Sequence, residues 1–267
     1  MKQRRPRPKL EEVKADLIVA YLRSRGRFKA KSTISGIMSV LRGMGDWLVR
    51  QECWDSNPLR WMQGPKLNPF GRSPRPLSHN DMQALWKAAV QTRQTFYRFQ
   101  WLALLAVLYG TGYRRGEVVR MNLSDWDVEE GILKCDGRKT GWERQVPSAE
   151  LVARCVESYL PHRVNHLHRL RVFEETALFV NREGERMKPE AVSRAIHRLA
   201  ERAGVSLSTL HQFRHSCATD LLEAGVRLPE VQKILGHRVI STTLRYTHIS
   251  DPKRREAIER QPLNYWL

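Results

Sequence analysis

Two short segments, about a hundred positions apart in this 267-residue chain, carry the side chains best suited to handling an anion. The first is Thr111-Gly112-Tyr113-Arg114-Arg115-Gly116-Glu117, which closes an apolar run. Its glycines permit a sharp turn that holds Arg114 at a helix end. The Arg114–Glu117 spacing is also that of an ordinary surface ion pair, a reading that stays open at this point. The second is Leu210-His211-Gln212-Phe213-Arg214-His215, where a helix would put His211 and Arg214 on one face. Further on come Leu235-Gly236-His237 and Thr242-Thr243-Leu244-Arg245-Tyr246-Thr247-His248. Guanidinium groups stay protonated and offer paired donors, so they suit phosphate or carboxylate oxygens. His211, His215, His237 and His248 invite a metal-site reading as well. No carboxylate or thiolate stands at ligand spacing among them, and a neighbouring arginine repels a cation, so no metal and no cofactor is expected.

The composition points the same way. Lys and Arg number 46 against 28 Asp and Glu, a net charge of +18. Such an excess implies a polyanionic partner, nucleic acid first, with generic solubility or a ribosome-like basic character as the bland alternative. Hydrophobic residues at 41% and charged residues at 28% describe a globular chain. The longest apolar run, Trp101 to Tyr109, is about half of what a membrane span requires. The opening residues carry charge with no apolar stretch behind it, so no secretory signal is expected. Cys53, Cys135, Cys155 and Cys217 show no CxxC spacing and read as reduced thiols, in keeping with a cytoplasmic, nucleoid-associated protein.

The elements that must position these residues fall into two groups. Residues 1–75 hold 17 basic and 6 acidic side chains, and residues 76–267 hold 29 and 22. Pro58, Pro65, Pro69, Pro74 and Pro76 mark residues 57–76 as an extended linker. The reading is therefore two domains, 1–75 and 77–267. In the first, Ile34, Ile37, Met38, Leu41, Met44, Trp47 and Leu48 form one helical stripe, with Ser32 or Thr33 as its cap. Leu17, Ile18, Tyr21 and Leu22 suggest a shorter helix before it. In the second, Ser78 and Asp81 make a capping box for a helix to about Val90, and an apolar helix follows over 95–109. Two short strands lie between 131 and 147, and helical patterns resume at 149–160, 188–203, 210–224 and 228–235. The fold class expected is mainly α with a small antiparallel β-sheet (α+β).

The order TGYRRGE, GRKTGWERQVP, HQFRH, ILGH and TTLRYTH, with nine residues from His237 to Tyr246, resembles the tyrosine recombinase (phage integrase) family. The likeness is greatest to its XerC/XerD-like single-chain members. It covers residues 77–250 as the catalytic domain and, less distinctly, 10–75 as the helical core-binding domain. The resemblance implies a site-specific DNA recombinase working through a covalent 3′-phosphotyrosine, without metal or ATP. It makes Arg114, Lys139, His211, Arg214, His237 and Tyr246 catalytic, and Glu117, His215 and His248 supporting. Tyr113 and Arg115 stand where aliphatic residues are commoner. The 137–141 turn is a residue longer than the usual form, which leaves Arg138 as a rival to Lys139.

Those groups suit attack by a phenol on a phosphodiester. Two arginines and His237 can bind the oxygens on which charge develops. Tyr246 needs a base, for which His211 is the candidate, and the leaving 5′-oxygen needs an acid, for which Lys139 is the candidate. The implied partners are double-stranded DNA with an inverted-repeat core site, four self-associated protomers in synapsis, and an accessory or partner recombinase. A tail with Ile258, Leu263, Tyr265, Trp266 and Leu267 docks either on a neighbour or on its own domain. Two other classes compete. A helix-turn-helix regulator over 208–247 would use Arg214 and Arg245 on phosphates without chemistry. A type IB topoisomerase-like enzyme would nick and close without paired sites.

Overall fold

A computed structural model of the chain describes residues 15–26, 30–66, 76–135 and 144–236. The chain divides into two compact units, Met1–Arg72 and Ser73–Leu267. As expected, helices dominate and the sheet is small and antiparallel.

In the first unit the apolar stripes form α1 (Ala15–Gly26) and α2 (Lys31–Arg50). Ile18, Leu22, Met38 and Leu59 are buried together, with Ile34, Ile37 and Leu41 packed around them. Neither Ser32 nor Thr33 caps α2: its N-cap is Ala30, whose carbonyl accepts the Thr33 N–H, and no side chain takes part. Burial of the stripe, not a cap, sustains this helix. The proline-rich stretch also departs from expectation at its start. Residues 57–62 do not run as an extended linker but fold back on α2. Arg42 Nε donates to the Leu59 carbonyl at 3.1 Å and its Nη2 to that of Met62. Asn57 Nδ2 donates to the Arg42 carbonyl and to Asp46. Buried Leu59 and these side-chain bonds outweigh the local tendency of prolines to keep a chain extended.

The second unit is built around α4 (Thr95–Gly110), apolar on all sides from Ala103 to Leu108 and buried throughout that stretch. A helix without a polar face must be surrounded, and α3 (His79–Val90), α6 (Glu150–Leu170) and α8 (His211–Glu223) pack against it. The Ser78–Asp81 capping box is formed in both directions. After α4 come the single turn α5 (Arg115–Val118) and the strands β1 (Trp126–Asp127), β2 (Ile132–Cys135) and β3 (Arg144–Pro147). The sheet runs β1-β2-β3, with Trp126 opposite Leu133, Leu133 opposite Val146 and Cys135 opposite Arg144. Sequence reading finds only the last two strands, because two residues cannot display an alternation.

The helix expected over 149–160 continues instead to Leu170, straight through Pro161. Proline removes one helical hydrogen bond and strains the preceding turn. Tertiary contacts beyond it compensate: Arg163 is buried and donates to the carbonyls of Ala177 and Glu175, while His162 and His166 stack on Phe99 and Phe96. Helices α7 (Pro189–Ala203) and α9 (Leu228–Leu235) belong to the same unit, each ending on a left-handed glycine, Gly204 and Gly236. Among the described residues, no helix is long and apolar enough to cross a membrane. Replacing Ser78 with Ala removes the capping box and should cost about 0.5–2 kcal/mol of stability, measurable by chemical denaturation.

Candidate active site

At the end of α4 the chain turns on Gly112, whose φ is +62°. A Cβ there would lie 2.5 Å from Leu235 Cδ2 and 3.2 Å from Cys217 Sγ, so the turn is pressed between α8 and α9. Arg114 then occupies the N-cap position of α5. The Glu117 carboxylate reaches back to accept the Arg114 backbone N–H at 2.7 Å and its Nη1 at 2.8 Å. The Arg–Glu spacing is therefore no surface pair: Glu117 is 4% exposed.

A second cation meets the same carboxylate. Arg144, the first residue of β3, places Nη2 at 2.8 Å from Glu117 Oε2 and Nη1 at 3.3 Å from Oε1. Burial by itself would raise the Glu117 pKa, but the hydrogen bonds and charge of Arg144, then those of Arg114, hold it down at about 2. Glu117 is thus ionised at every physiological pH. The Arg144 guanidinium also covers the Tyr113 ring, 4.7 Å from its centroid. Tyr113 is buried, and its hydroxyl donates to the Leu133 carbonyl at 2.8 Å, joining this turn to β2. That explains an aromatic residue where an aliphatic one is commoner. Arg115, the other departure, donates to Ser193 Oγ on α7 at 2.8 Å.

Helix α8 brings the second segment to the first. Arg214 is 1% exposed, sharing its helix face with buried Cys217 and Ala218, three and four positions on. Its Nη1 donates to the Gly112 carbonyl at 2.8 Å and its Nη2 to the Leu235 carbonyl at 2.6 Å. One side chain thereby ties the turn before Arg114 to the last carbonyl of α9. His211, one turn earlier, has its pKa lowered, first by burial and then by the charges of Arg214 and Arg114, with Glu117 opposing. It is accordingly neutral at pH 7 and able to accept a proton. The His215 ring stands edge-on to it, centroids 4.9 Å apart. Gly236, the left-handed end of α9, lies directly against Arg144: a Cβ there would be 2.7 Å from Arg144 Nη1.

Five of the residues singled out in the sequence, Arg114, Glu117, His211, Arg214 and His215, are thus assembled in one place. Lys139 and its rival Arg138, His237, Tyr246 and His248 lie outside the described residues. Arg144 is a site residue that sequence reasoning missed. The available signal was alternation: with Val146 facing the core, Arg144 faces inward too, and a buried arginine demands a carboxylate. Among the described residues, no group of three or more His, Cys, Asp or Glu is placed to hold a metal ion.

Residues 75–253 match the Phage integrase family. The chain is 32% identical over 237 residues to the tyrosine recombinase XerD of Halalkalibacterium halodurans, covering 88% of this chain and 76% of that one. It is 30% identical to the tyrosine recombinase XerC of a Roseiflexus species, covering 92% and 78%. Among solved structures it is similar to the XerH site-specific recombinase bound to palindromic difH in a post-cleavage complex. There the TM-score is 0.74 at 20% identity, covering 94% of this chain and 73% of that one. It is similar also to the Tn1549 transposon integrase with circular-intermediate DNA, with a TM-score of 0.73 at 20% identity and 94% and 86% coverage.

The depressed Glu117 pKa sets a pH signature. A carboxylate whose folded pKa, about 2, lies below its ordinary 4.5 contributes stability that is complete above pH 4.5 and lost as pH falls through 2. The contribution is on the order of 3 kcal/mol. Glu117→Gln should therefore be clearly less stable than the parent at pH 7, with the difference shrinking between pH 4.5 and 2, as followed by denaturant titration at each pH.

Proposed function

The chain belongs to the phage integrase family, and from that membership we propose how this tyrosine recombinase divides the labour of strand exchange among its own residues. It cleaves and rejoins DNA strands through a covalent phosphotyrosine. Tyr246 is the nucleophile. Its oxygen attacks the scissile phosphorus, the bond from phosphorus to the 5′-oxygen breaks, and a 3′-phosphotyrosine and a free 5′-hydroxyl result. A second strand's 5′-hydroxyl reverses the step, so the ester energy is conserved and no nucleotide cofactor is needed.

The observation that carries this reading is the convergence of two segments a hundred residues apart: Arg214 bonds the carbonyl of Gly112, two residues before Arg114. Two positively charged forks held at one place, Arg214 buried and Arg114 partly exposed, suit the extra negative charge of a phosphoryl transition state. Arg114, braced by Glu117, and Arg214, braced by two carbonyls, are the clamp, and His237 supplies a third donor. A phenol with a pKa near 10 is a weak nucleophile at neutral pH. His211 is neutral for the reason given above, and it receives the Tyr246 proton. Lys139 protonates the departing 5′-oxygen. His215, edge-on to His211, and His248 are supporting residues.

Residues 1–75 serve as the core-binding domain and 77–267 as the catalytic domain, each binding a duplex that carries an inverted-repeat core site. Four protomers pair two such sites, with an accessory or partner recombinase setting the outcome, in the cytoplasm on the nucleoid. With a net charge of +18, most of the affinity comes from phosphate neutralisation and falls steeply with salt.

The test is incubation with nicked suicide duplexes carrying the DNA that flanks the gene. A denaturation-resistant adduct whose peptide mass maps to Tyr246 is expected. Tyr246→Phe should abolish the adduct while leaving DNA binding intact, and cleavage persisting in that variant overturns the assignment. Arg214→Lys should slow adduct formation by about 100- to 1000-fold, the usual effect of losing one donor aimed at developing charge. A protein that binds these duplexes and never links to them would be a regulator, whereas relaxation of supercoils without sequence preference would indicate a topoisomerase.

A further inference from the structure

None of the roles above uses Arg144, yet it touches three of the segments that carry them. Both of its Nη atoms are spent on the two Glu117 oxygens, at 2.8 and 3.3 Å. Its guanidinium lies on the Tyr113 ring, and its side chain is only 9% exposed. It also fills the space beside Gly236, where a Cβ would come within 2.7 Å of Nη1 and 3.1 Å of Cδ. So β3, which follows the segment holding Lys139, α5, which presents Arg114, and the end of α9, which leads to His237, all meet at this one side chain.

We propose that Arg144 is a positioning residue for strand cleavage, holding Glu117, and through it Arg114, in register with the end of α9. The inference rests on the recombinase reading above. Arg144 is not itself part of the phosphate clamp, because both ends of its fork are committed to the charged Glu117 carboxylate, whereas Arg214 is held by uncharged carbonyls and Arg114 meets Glu117 through Nη1. Nor is it general packing. Helix α5 is a single turn of four residues, too short to fix the direction of its own N-cap side chain. Glu117 is what orients Arg114, through two hydrogen bonds. A buried carboxylate with four donors has little freedom, and two of the four come from Arg144. Lysine cannot replace it, since a compact ammonium can neither span both oxygens nor stack on Tyr113.

The experiment uses the full chain and the same suicide duplexes, comparing parent, Arg144→Lys, Glu117→Gln and the double variant. Arg144→Lys keeps the charge, and thermal melting verifies that it is folded; Glu117→Gln tests the same bridge from its other end. Arg144→Lys should slow single-turnover adduct formation about 100-fold, as small misplacements of a reacting group do, with DNA affinity unchanged. The double variant should be no slower than the slower single variant, because both changes break one unit. Arg144→Lys should also acquire a fall in rate toward acid pH, as Glu117 loses a cation, and that limb should vanish when Glu117 is Gln. A lysine variant that cleaves at the parental rate, effects that multiply in the double variant, or an acid limb that persists without Glu117 would each overturn the proposal. A parent that forms no adduct instead sinks the recombinase reading, and this inference with it.

Discussion

Cations that are to act together on one phosphate must be brought close and partly stripped of water, and each of those requirements is unfavourable on its own. In this chain the conflict is resolved at a single carboxylate. Glu117 is the only buried acid among the described residues, and it stands between Arg114 and Arg144 with both of its oxygens occupied. Buried charges are tolerable when paired and hydrogen-bonded, and costly when either partner is missing. The ionised carboxylate therefore does more than offset charge. It dictates which way Arg114 leaves a one-turn helix and how closely β3 approaches it.

Arg214 solves the same problem by other means. Backbone carbonyls hold both ends of its fork, those of Gly112 and Leu235. Helix-terminal carbonyls carry partial negative charge and have no helical partner of their own, so the end of α9 is a natural anchor for a buried guanidinium. This also explains two of the left-handed glycines. Gly112 and Gly236 sit where the backbone must turn sharply and where a Cβ would strike Leu235 or Arg144. Close approach of three chain segments around the arginines is possible only because those positions lack side chains.

The rest of the second unit serves that convergence. Helix α4 is buried from Ala103 to Leu108 and delivers the Gly112 turn rigidly, while α8 packs on it and delivers His211 and Arg214. Ser216, two residues after Arg214, accepts the Leu77 N–H at 2.8 Å, fastening α8 to the strand of chain that enters α3. The site is thus carried on helices whose positions are set by an apolar core, and small shifts of α8 are resisted by packing on several sides.

Much of this was legible in the residues themselves. Apolar spacing located α2, α3, α4, α7, α8 and α9 to within a residue or two, because a helix that buries one face must repeat every three to four positions. The ordered motifs around Arg114, His211 and Arg214 revealed the chemistry, because a reaction at a phosphate calls for particular donors whatever the fold. What local pattern could not show was anything decided at a distance. Helix α6 runs on past Pro161 because Arg163 finds carbonyls on a later segment. Residues 57–62 fold back because Arg42 accommodates their carbonyls. Arg144 enters the site because a strand turns it toward a glutamate 27 positions earlier. Periodicity and motif are properties of neighbours along the chain, and so the sequence alone determined them. Pairing a buried charge is a property of neighbours in space, and only the tertiary structure decides which residue provides it.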